Sequence, residues 1–322
     1  DAAVHRSAIE SGRRPDGRKI DEVRELYVEI SLLERTHGSA LFARGNTQAL
    51  AAVTLAPPGA EQLVETMEQT GKRRFMLHYN FPKYSVGETG SFRGPGRRDI
   101  GHGALAEKAL RPLIPTQEEF PYTIRVVSEI LSSNGSSSMA TVSACSMALM
   151  DAGVPMKKPA AGIAIGLMSD EARHRVLTDI QGPEDHYGDM DCKVAGTRDG
   201  VNAVQMDVKV EGITLEIARE AMERAKAARL HILSQMEVAI REPRAELSPY
   251  APRVITLRID PSRIGELIGP GGKIINGIVE RTGILSIDVE QTGEVFIAAR
   301  RPEAAELAKR EVESLFRDYL VG

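Results

Sequence analysis

Asp185-His186-Tyr187-Gly188-Asp189-Met190-Asp191-Cys192-Lys193 is the most informative stretch of this 322-residue chain. From Asp189 onward polar and apolar residues alternate, and side chains alternate faces along a strand. Met190, Cys192 and Val194 therefore share a buried face, while Asp189, Asp191 and Lys193 share the other. After the turn Arg198-Asp199-Gly200, Val204, Met206, Val208 and Val210 form the buried set, and Gln205, Asp207 and Lys209 the exposed one. Residues directly opposite one another in a hairpin point to the same face. A two-residue loop at Asp199-Gly200 would pair Val194 with Gln205 and break that rule. A three-residue loop with Gly200 left-handed pairs Thr197 with Val201, Val194 with Val204, Lys193 with Gln205 and Asp191 with Asp207, as a bulged hairpin.

Carboxylates gathered on one face repel one another unless a cation sits among them. Mg²⁺ takes oxygen ligands, typically one or two carboxylates plus a substrate phosphate. Lys193 on the same face can neutralise charge that develops on phosphate oxygens. The plainer reading is a solvated strand face with cross-strand ion pairs, such as Asp189 with Lys209. Taken alone, the plainer reading is the better supported, because polar strand faces are ordinary.

Working outward, turn and period signals divide the chain in two. Residues 1–13 are polar and read as a poorly anchored lead-in. The turn cluster Arg14-Pro15-Asp16-Gly17-Arg18 opens a first domain over 14–242. Strands are predicted over 26–30, 39–43, 48–55 and 75–78. A glycine-rich loop over 86–103 follows, then a helix over 104–111 stopped by Pro112 and Pro115. Next come a strand over 122–131, a polar loop over 132–138 and a helix over 139–152, ended by Gly153 and Pro155. Strands over 161–168 and 176–180 precede the hairpin, and a helix over 214–241 closes the domain. Residues 243–253 hold Pro243, Pro249 and Pro252 and read as a linker. Beyond it lie a strand (254–259), two helices (262–268 and 273–282), two strands (285–289 and 294–298) and a helix (302–319). That order is β-α-α-β-β-α, in a second domain over 254–322.

Ser132-Ser133-Asn134-Gly135-Ser136-Ser137-Ser138 lies between a strand and a helix. Helix N-termini present free N–H groups and the positive end of the dipole. The hydroxyls add donors and Gly135 lets the backbone approach an anion, so Ser136, Ser137 and Ser138 are candidate phosphate ligands. A plain N-cap would need one of them only, Ser137 or Ser138. Gly94-Pro95-Gly96-Arg97-Arg98-Asp99-Ile100-Gly101-His102-Gly103 also precedes a helix. Arg97 and Arg98 suit phosphate geometry, and an exposed basic turn is the plainer account. His102 alone says little, as do His37, His78 and His186.

Ile268-Gly269-Pro270-Gly271-Gly272-Lys273 places a GXXG loop between two helices, the form that clamps single-stranded nucleic acid in KH domains. The loop by itself is a weak signal against an ordinary helix–helix turn, and the element order around it makes the reading strong. A dinucleotide loop would need G-x-G-x-x-G after a strand and is rejected. Residues 253–322 hold ten Lys/Arg against eleven Asp/Glu, so this module is not basic and its own RNA affinity is modest.

Hydrophobic residues make up 42% and charged residues 27% of the chain, enough for sizeable cores. No apolar run reaches the roughly 18 residues of a membrane span, and no signal peptide opens the chain. Cys145 and Cys192 are the only cysteines, which excludes a disulfide framework and suits a reducing cytoplasm. No Cys/His cluster has zinc spacing. A net charge of -4 means that any RNA contact is local rather than global. The chain begins at Asp1, not Met, and reads as a piece of a longer polypeptide.

Several long motifs now converge. Arg35-Thr36-His37-Gly38-Ser39-Ala40-Leu41-Phe42, His78-Tyr79-Asn80-Phe81-Pro82, Ser85-Val86-Gly87-Glu88-Thr89-Gly90, the serine turn through Met139, the 185–193 run and the 268–273 loop resemble the back portion of the bacterial polynucleotide phosphorylases. The resemblance spans nearly the whole chain. It implies an α/β (α+β) fold: an RNase PH-like β-α-β-α domain of the ribosomal protein S5 domain 2-like kind, then a type I KH domain. It also implies reversible, processive 3′→5′ phosphorolysis of single-stranded RNA, releasing nucleoside diphosphates in mRNA degradation. By motif, Asp185 and Asp191 resemble the metal-binding and catalytic carboxylates, and Lys193 the accompanying cation. Ser136, Ser137 and Ser138 with Arg97 and Arg98 resemble the inorganic phosphate site, and His102 the histidine near it. Gly269, Pro270, Gly271, Gly272 and Lys273 match the RNA-binding KH loop.

The cofactors so implied are Mg²⁺, with Mn²⁺ as a substitute, and inorganic phosphate as co-substrate. The partners so implied are single-stranded RNA, further copies in a ring-shaped homotrimer, and degradosome components such as RNase E and an RNA helicase, in the cytoplasm and with no membrane. Family members also carry an earlier RNase PH-like domain, a helical linker and a C-terminal oligonucleotide-binding barrel. The sequence holds none of these, so it is expected to contain the site yet work poorly alone. Two other classes stand beside this reading: a non-catalytic RNA-binding or ring-scaffold subunit of an exosome-like assembly, and a hydrolytic nuclease, which would need no phosphate pocket.

Overall fold

The computed structural model describes residues 2–68, 70–90, 94–170 and 172–317. Its helices and strands run α1 (Ala2–Ser11), β1 (Leu26–Ile30), β2 (Gly38–Arg44), β3 (Thr47–Ala56), β4 (Gln62–Glu65), β5 (Thr70–Arg73), β6 (Phe75–Asn80), α2 (Arg97–Leu110), β7 (Thr123–Ser132), α3 (Ser137–Asp151), β8 (Ala161–Ser169), β9 (His174–Thr178), α4 (Gly182–Tyr187), β10 (Met190–Gly196), β11 (Val201–Val208), α5 (Leu215–Ala239), β12 (Arg253–Arg258), α6 (Ile264–Ile268), α7 (Lys273–Thr282), β13 (Ser286–Val289), β14 (Glu294–Ala299) and α8 (Pro302–Leu315). Two units result. One holds the described residues of Asp1–Val53, Leu77–Ile114 and Val126–Glu246; the other holds those of Thr54–Met76, Pro115–Arg125 and Leu247–Gly322.

In the first unit α3 organises the rest. Every residue of α3 is buried, because the helix packs on β2 of one sheet and on β8 and β10 of another. A helix covered on all sides has no polar stripe to give up to solvent, and the small residues Ala140, Ser143, Ala144 and Ala148 let both sheets approach. Its buried hydroxyls are satisfied locally: Ser128 and Thr141 bond each other at 2.9 Å, and Ser146 Oγ accepts the Ala160 N–H at 2.9 Å. The sheet orders are β1-β2-β3-β7-β6 and β11-β10-β8-β9. On the second sheet, α5 covers β8, β9 and β10.

The hairpin pairs Asp191 with Asp207, Lys193 with Gln205 and Val194 with Val204, as expected from the alternation. Its turn differs. Gly196 faces Val201, the irregularity falls between Ala195 and Gly196, and Gly200 is not left-handed. The extra residue is Asn202, whose amide donates to the Ala109 carbonyl at 3.0 Å. Burial also differs. β10 is an inner strand, so Asp191 is only 5% exposed, although its side was expected to be solvated. β11 is the outer strand, and its apolar side lacks a full covering layer: Val204 is 42% and Met206 41% exposed, and Val210 is exposed too. Alternation reports which residues share a side; position in the sheet decides whether that side is covered.

Other expectations are corrected. Residues 2–11 are not a loose lead-in but form α1, which buries Ala8 and Ile9 against Ala164, Met168, Leu177 and Ile180. Much of the expected glycine-rich loop is helical, since α2 begins at Arg97 and carries Gly101, His102 and Gly103; Ser91–Arg93 of that loop lie outside the described residues. The strand expected to reach Ile180 stops at Thr178, where Asp179 takes a positive φ of 56°. Residues 182–187, which the sequence reading assigned to no element, form α4.

In the second unit, the hairpin of β4 and β5 was not anticipated, its residues being almost all exposed. Within this unit Tyr122 Oη donates to the Pro252 carbonyl and accepts the Val254 N–H, at 3.0 and 3.2 Å. The β12–α8 segment has the expected β-α-α-β-β-α order, with an antiparallel sheet β12-β14-β13. Leu267, Ile278, Val295, Ile297, Ala305 and Val312 form its core. The expected last helix ends at Leu315, and residues 318–322 lie outside the described ones.

Candidate active site

The serine turn is built from beneath by a buried ionic cluster. Asp179 is fully buried and accepts hydrogen bonds from Arg24 Nε and Nη2, both at 2.8 Å, while Arg44 Nε pairs with it as an ion 2.8 Å away, outside hydrogen-bond geometry. Arg18 adds a contact at 3.3 Å. Burial would raise the Asp179 carboxyl, but Arg44 and Arg24 outweigh it and hold it well below the usual carboxylate range. Burial pulls the Arg44 guanidinium down to about 10, with Asp179 opposing.

The same cations reach the turn. Arg24 donates to the Asn134 carbonyl at 2.6 Å, Arg44 to the Ser136 carbonyl at 3.1 Å, and both approach the Gly135 carbonyl at 3.4 Å. Thr47 Oγ1 donates to the Gly135 carbonyl at 3.1 Å and accepts the Asn134 N–H at 3.0 Å. Gly135 has φ 97°, and a Cβ there would sit 2.5 Å from the Ile180 carbonyl oxygen. Only glycine fits that path.

Ser136 follows with φ 50° and starts α3 without a side-chain cap. None of the three serines caps the helix. Instead Ser137 Oγ bonds Tyr79 Oη at 2.7 Å, and Tyr79 Oη meets His102 Nδ1 at 3.2 Å. The hydroxyls of Ser136 and Ser138 are buried with no protein partner, and Ser138 is 0% exposed. Buried polar atoms are nearly always paired, so unpaired ones at a helix start mark space for a ligand.

His102 lies one turn into α2. Burial, then the charges of Arg98 and Lys193, pull its pKa down to about 4, so the imidazole is neutral near pH 7. Arg98 lies over the Phe81 ring at 4.3 Å, and Arg97 is exposed in the first turn of α2. Asp99 fixes that turn by accepting the Gly96 and Phe81 N–H groups at 2.9 and 2.8 Å.

Asp191 and Lys193 form an ion pair through Asp191 Oδ2, while Asp191 Oδ1 is buried and unpartnered. Burial lifts the Asp191 carboxyl above its usual range; Lys193 opposes this, and the charges of Asp185 and Asp207 add to it. Asp185 is placed by α4, whose start is tied to the serine turn: Asn134 donates to Gln181 at 3.2 Å and accepts the Gly182 N–H at 3.1 Å. Beneath α4, Glu184 is held by Arg14 at 2.6 and 2.7 Å. The plainer ion pair of Asp189 with Lys209 is not what holds this face. Asp189 accepts from Ser169 and meets His5 at 3.2 Å, whereas Lys209 donates to the carbonyls of Asp185 and His186.

The arrangement therefore brings Ser136, Ser137, Ser138, His102, Lys193, Asp191 and Asp185 together, with Arg98 near the imidazole. Arg97 and Arg98 are both exposed in the first turn of α2. Among the described residues no group of three or more His, Cys, Asp or Glu is disposed to hold a metal. The fit to a divalent cation is narrower: two carboxylates, one with an unpartnered buried oxygen, suit a Mg²⁺ that completes its shell with phosphate and water. Sequence reasoning missed Thr47, Tyr79, Arg14, Arg24, Arg44, Asp179 and Glu184. Asp179 and Arg44 had a signal, a lone charge at the end of an apolar run, as in Val176-Leu177-Thr178-Asp179-Ile180; the other five had none.

The GXXG loop has Gly269, Gly271 and Gly272 all at positive φ, between 59° and 76°. A side chain would strain each position. Pro270 opens the short 3₁₀ turn, and Lys273 begins α7.

Known proteins share these features. The profile described as "3′ exoribonuclease family, domain 1" matches residues 22–155, and that of the KH domain matches 254–314. A polyribonucleotide nucleotidyltransferase of Thermomicrobium roseum is 56% identical over 321 residues, 99% of this chain and 40% of its own length. Over almost its whole length the chain is similar to part of that relative. A second relative of that description, from Anoxybacillus flavithermus, is 54% identical over 319 residues, 99% of this chain and 45% of its own length. The chain thus spans less than half the length of these relatives. The rice Rrp46 crystal structure superposes with a TM-score of 0.56 at 22% identity, covering 70% of this chain and 98% of its own. It supports the fold of an RNase PH-like domain alone, and the KH domain that follows rests on the match over 254–314. Among the described residues no helix is long and apolar enough to cross a membrane.

Proposed function

We propose that this chain carries the site of a phosphate-dependent 3′→5′ exoribonuclease, which releases nucleoside diphosphates from single-stranded RNA and runs reversibly. The observation that carries the reading is the pairing of orphaned groups: the buried hydroxyls of Ser136 and Ser138 on one side and the buried Asp191 Oδ1 on the other. The first set suits an anion and the second a cation or a proton, as joining phosphate to a phosphodiester requires.

Inorganic phosphate is received by the serine hydroxyls and the first N–H groups of α3, which lack intrahelical acceptors. One of its oxygens attacks the terminal phosphodiester phosphorus in line. A P–O bond to the incoming phosphate forms and the bond to the 3′ oxygen of the preceding nucleotide breaks. The products are a nucleoside diphosphate and RNA shorter by one nucleotide, whose 3′ oxygen gains a proton. Lys193 and Arg98 offset charge on the transferring group. His102, neutral and bonded to Tyr79, keeps the Ser137 hydroxyl oriented. Asp191 serves the departing 3′ oxygen, as proton donor when protonated and as cation anchor when ionised. A divalent cation, Mg²⁺ or Mn²⁺, held by Asp185 and Asp191 would supply charge stabilisation to the phosphoryl oxygens.

The KH loop, from Gly269 to Lys273, would hold the RNA backbone while the 3′ end is shortened. A ring-shaped homotrimer, contacts with RNase E and an RNA helicase, and a role in cytoplasmic mRNA degradation belong to the same reading of the longer protein. Asp191→Ala tests the assignment: turnover is expected to vanish while single-stranded RNA binding stays within about twofold. Loss of RNA binding in step with turnover would show that Asp191 has another role.

A further inference from the structure

The cluster beneath the serine turn has more partners than stability of a loop requires, and all of them converge on one peptide run. In a planar trans peptide the C=O of one residue and the N–H of the next point in opposite directions. Arg24 holds the carbonyl of Asn134, Thr47 that of Gly135, and Arg44 that of Ser136. The N–H groups of Gly135, Ser136 and Ser137 are therefore turned away from the arginines. Ser136 is left-handed and Ser137 right-handed helical, and successive N–H groups across such a junction form an anion-binding concavity. Two guanidiniums close to an anion site would ordinarily draw the anion toward themselves. Here Asp179 offsets part of their charge, with contacts of 2.8 Å from both Arg24 and Arg44.

We infer that Asp179, through Arg24 and Arg44 and together with Thr47, is the positioning centre of the phosphate site: it holds the carbonyls of residues 134–136 inward so that the following N–H groups receive the anion. Asp179 touches neither substrate nor reacting atoms. The inference rests on the phosphorolytic reading above and deepens it, since it assigns anion recognition to backbone N–H groups as well as to the serine hydroxyls.

Thr47 gives the cleanest test, because its hydroxyl holds two of the bonds to the turn and it is uncharged, meeting the ionic cluster only through Arg24 Nη1 at 3.5 Å. Inorganic phosphate is titrated calorimetrically into wild type, Thr47→Val, Thr47→Ser and Asp179→Asn, with folding checked by circular dichroism. Thr47→Val is expected to weaken phosphate binding about tenfold, equivalent to ~1.4 kcal/mol, while Thr47→Ser stays within about twofold of wild type because it keeps the hydroxyl. Asp179→Asn, where folded, is expected to weaken it by more than Thr47→Val; if it does not fold, the Thr47 pair decides. Unchanged binding in Thr47→Val, or equal weakening in Val and Ser, overturns the inference and leaves the phosphorolytic reading standing. Wild type that shows no saturable phosphate binding overturns both.

Discussion

Gly135→Ala concentrates the account at one atom. A positive φ costs an L-residue roughly 1–2 kcal/mol, and Gly135 stands at 97°. The added Cβ would lie 2.5 Å from the Ile180 carbonyl oxygen and 2.7 Å from Gln181 Cα. Both are backbone atoms, so no side chain can swing aside, and overpacking of this kind typically adds about 1–3 kcal/mol. The sum is a loss of about 2–5 kcal/mol. At roughly 2–4 °C per kcal/mol for a unit of this size, the thermal midpoint should fall by about 4–20 °C. The turn can escape only by moving away from residues 180–181, which carries the N–H groups of residues 135–137 with it. Phosphate KM should therefore rise more than kcat falls. Thermal unfolding by circular dichroism and phosphate titration of the reaction rate read the two effects. Gly200→Ala is the matched control: its φ is not positive and nothing lies within 4 Å of the added Cβ, so it should be silent. A Gly135→Ala protein with wild-type midpoint and wild-type phosphate KM would refute the reasoning.

Two further outcomes follow from the titrating groups. His102 is held at about 4, so its ring should show no titration between about pH 5.5 and 8 by nitrogen-detected NMR. Its contribution to stability is complete above the ordinary value of 6.5 and is lost as pH falls from there through about 4, since the unfolded chain takes up the proton first; a ring midpoint near 6.5 would contradict the burial argument. Asp191 runs the other way: with its folded pKa raised above 3.8, its contribution is complete below that value and is lost as pH rises through the folded one. Asp191→Asn, neutral at all pH, should therefore melt above wild type at pH 7 without divalent cations while being inactive, with the gap closing in acid. A lower midpoint at pH 7 would count against it.

The KH unit was the most legible part of the sequence. Its element order and its glycine loop are local, and the strand and helix periods there are not overridden by distant contacts. The hairpin register was legible for a similar reason: Asp191 opposite Asp207 follows from alternation together with the length of a local turn. Burial was not legible, because it depends on which strand lies at the edge. Met206 and Asp191 exchanged their expected environments through sheet order, which no local period reports. The helical state of His102 was hidden by Gly101 and Gly103, which weaken a helix by propensity but are tolerated once tertiary packing holds it. The candidate site residues were picked out by motif, whereas the groups that position them were not. Asp179, Arg24 and Arg44 are separated by 20 to 155 positions in sequence. They become one cluster only when β2, β9 and the serine turn meet.

The central claim is that phosphate, not water, cleaves the RNA. Incubating the chain with single-stranded RNA and ³²P-labelled orthophosphate tests it directly, whatever the rate. The account predicts label in the β position of released nucleoside diphosphates and no release when phosphate is omitted. Unlabelled nucleoside monophosphates, released equally with or without phosphate, would contradict it.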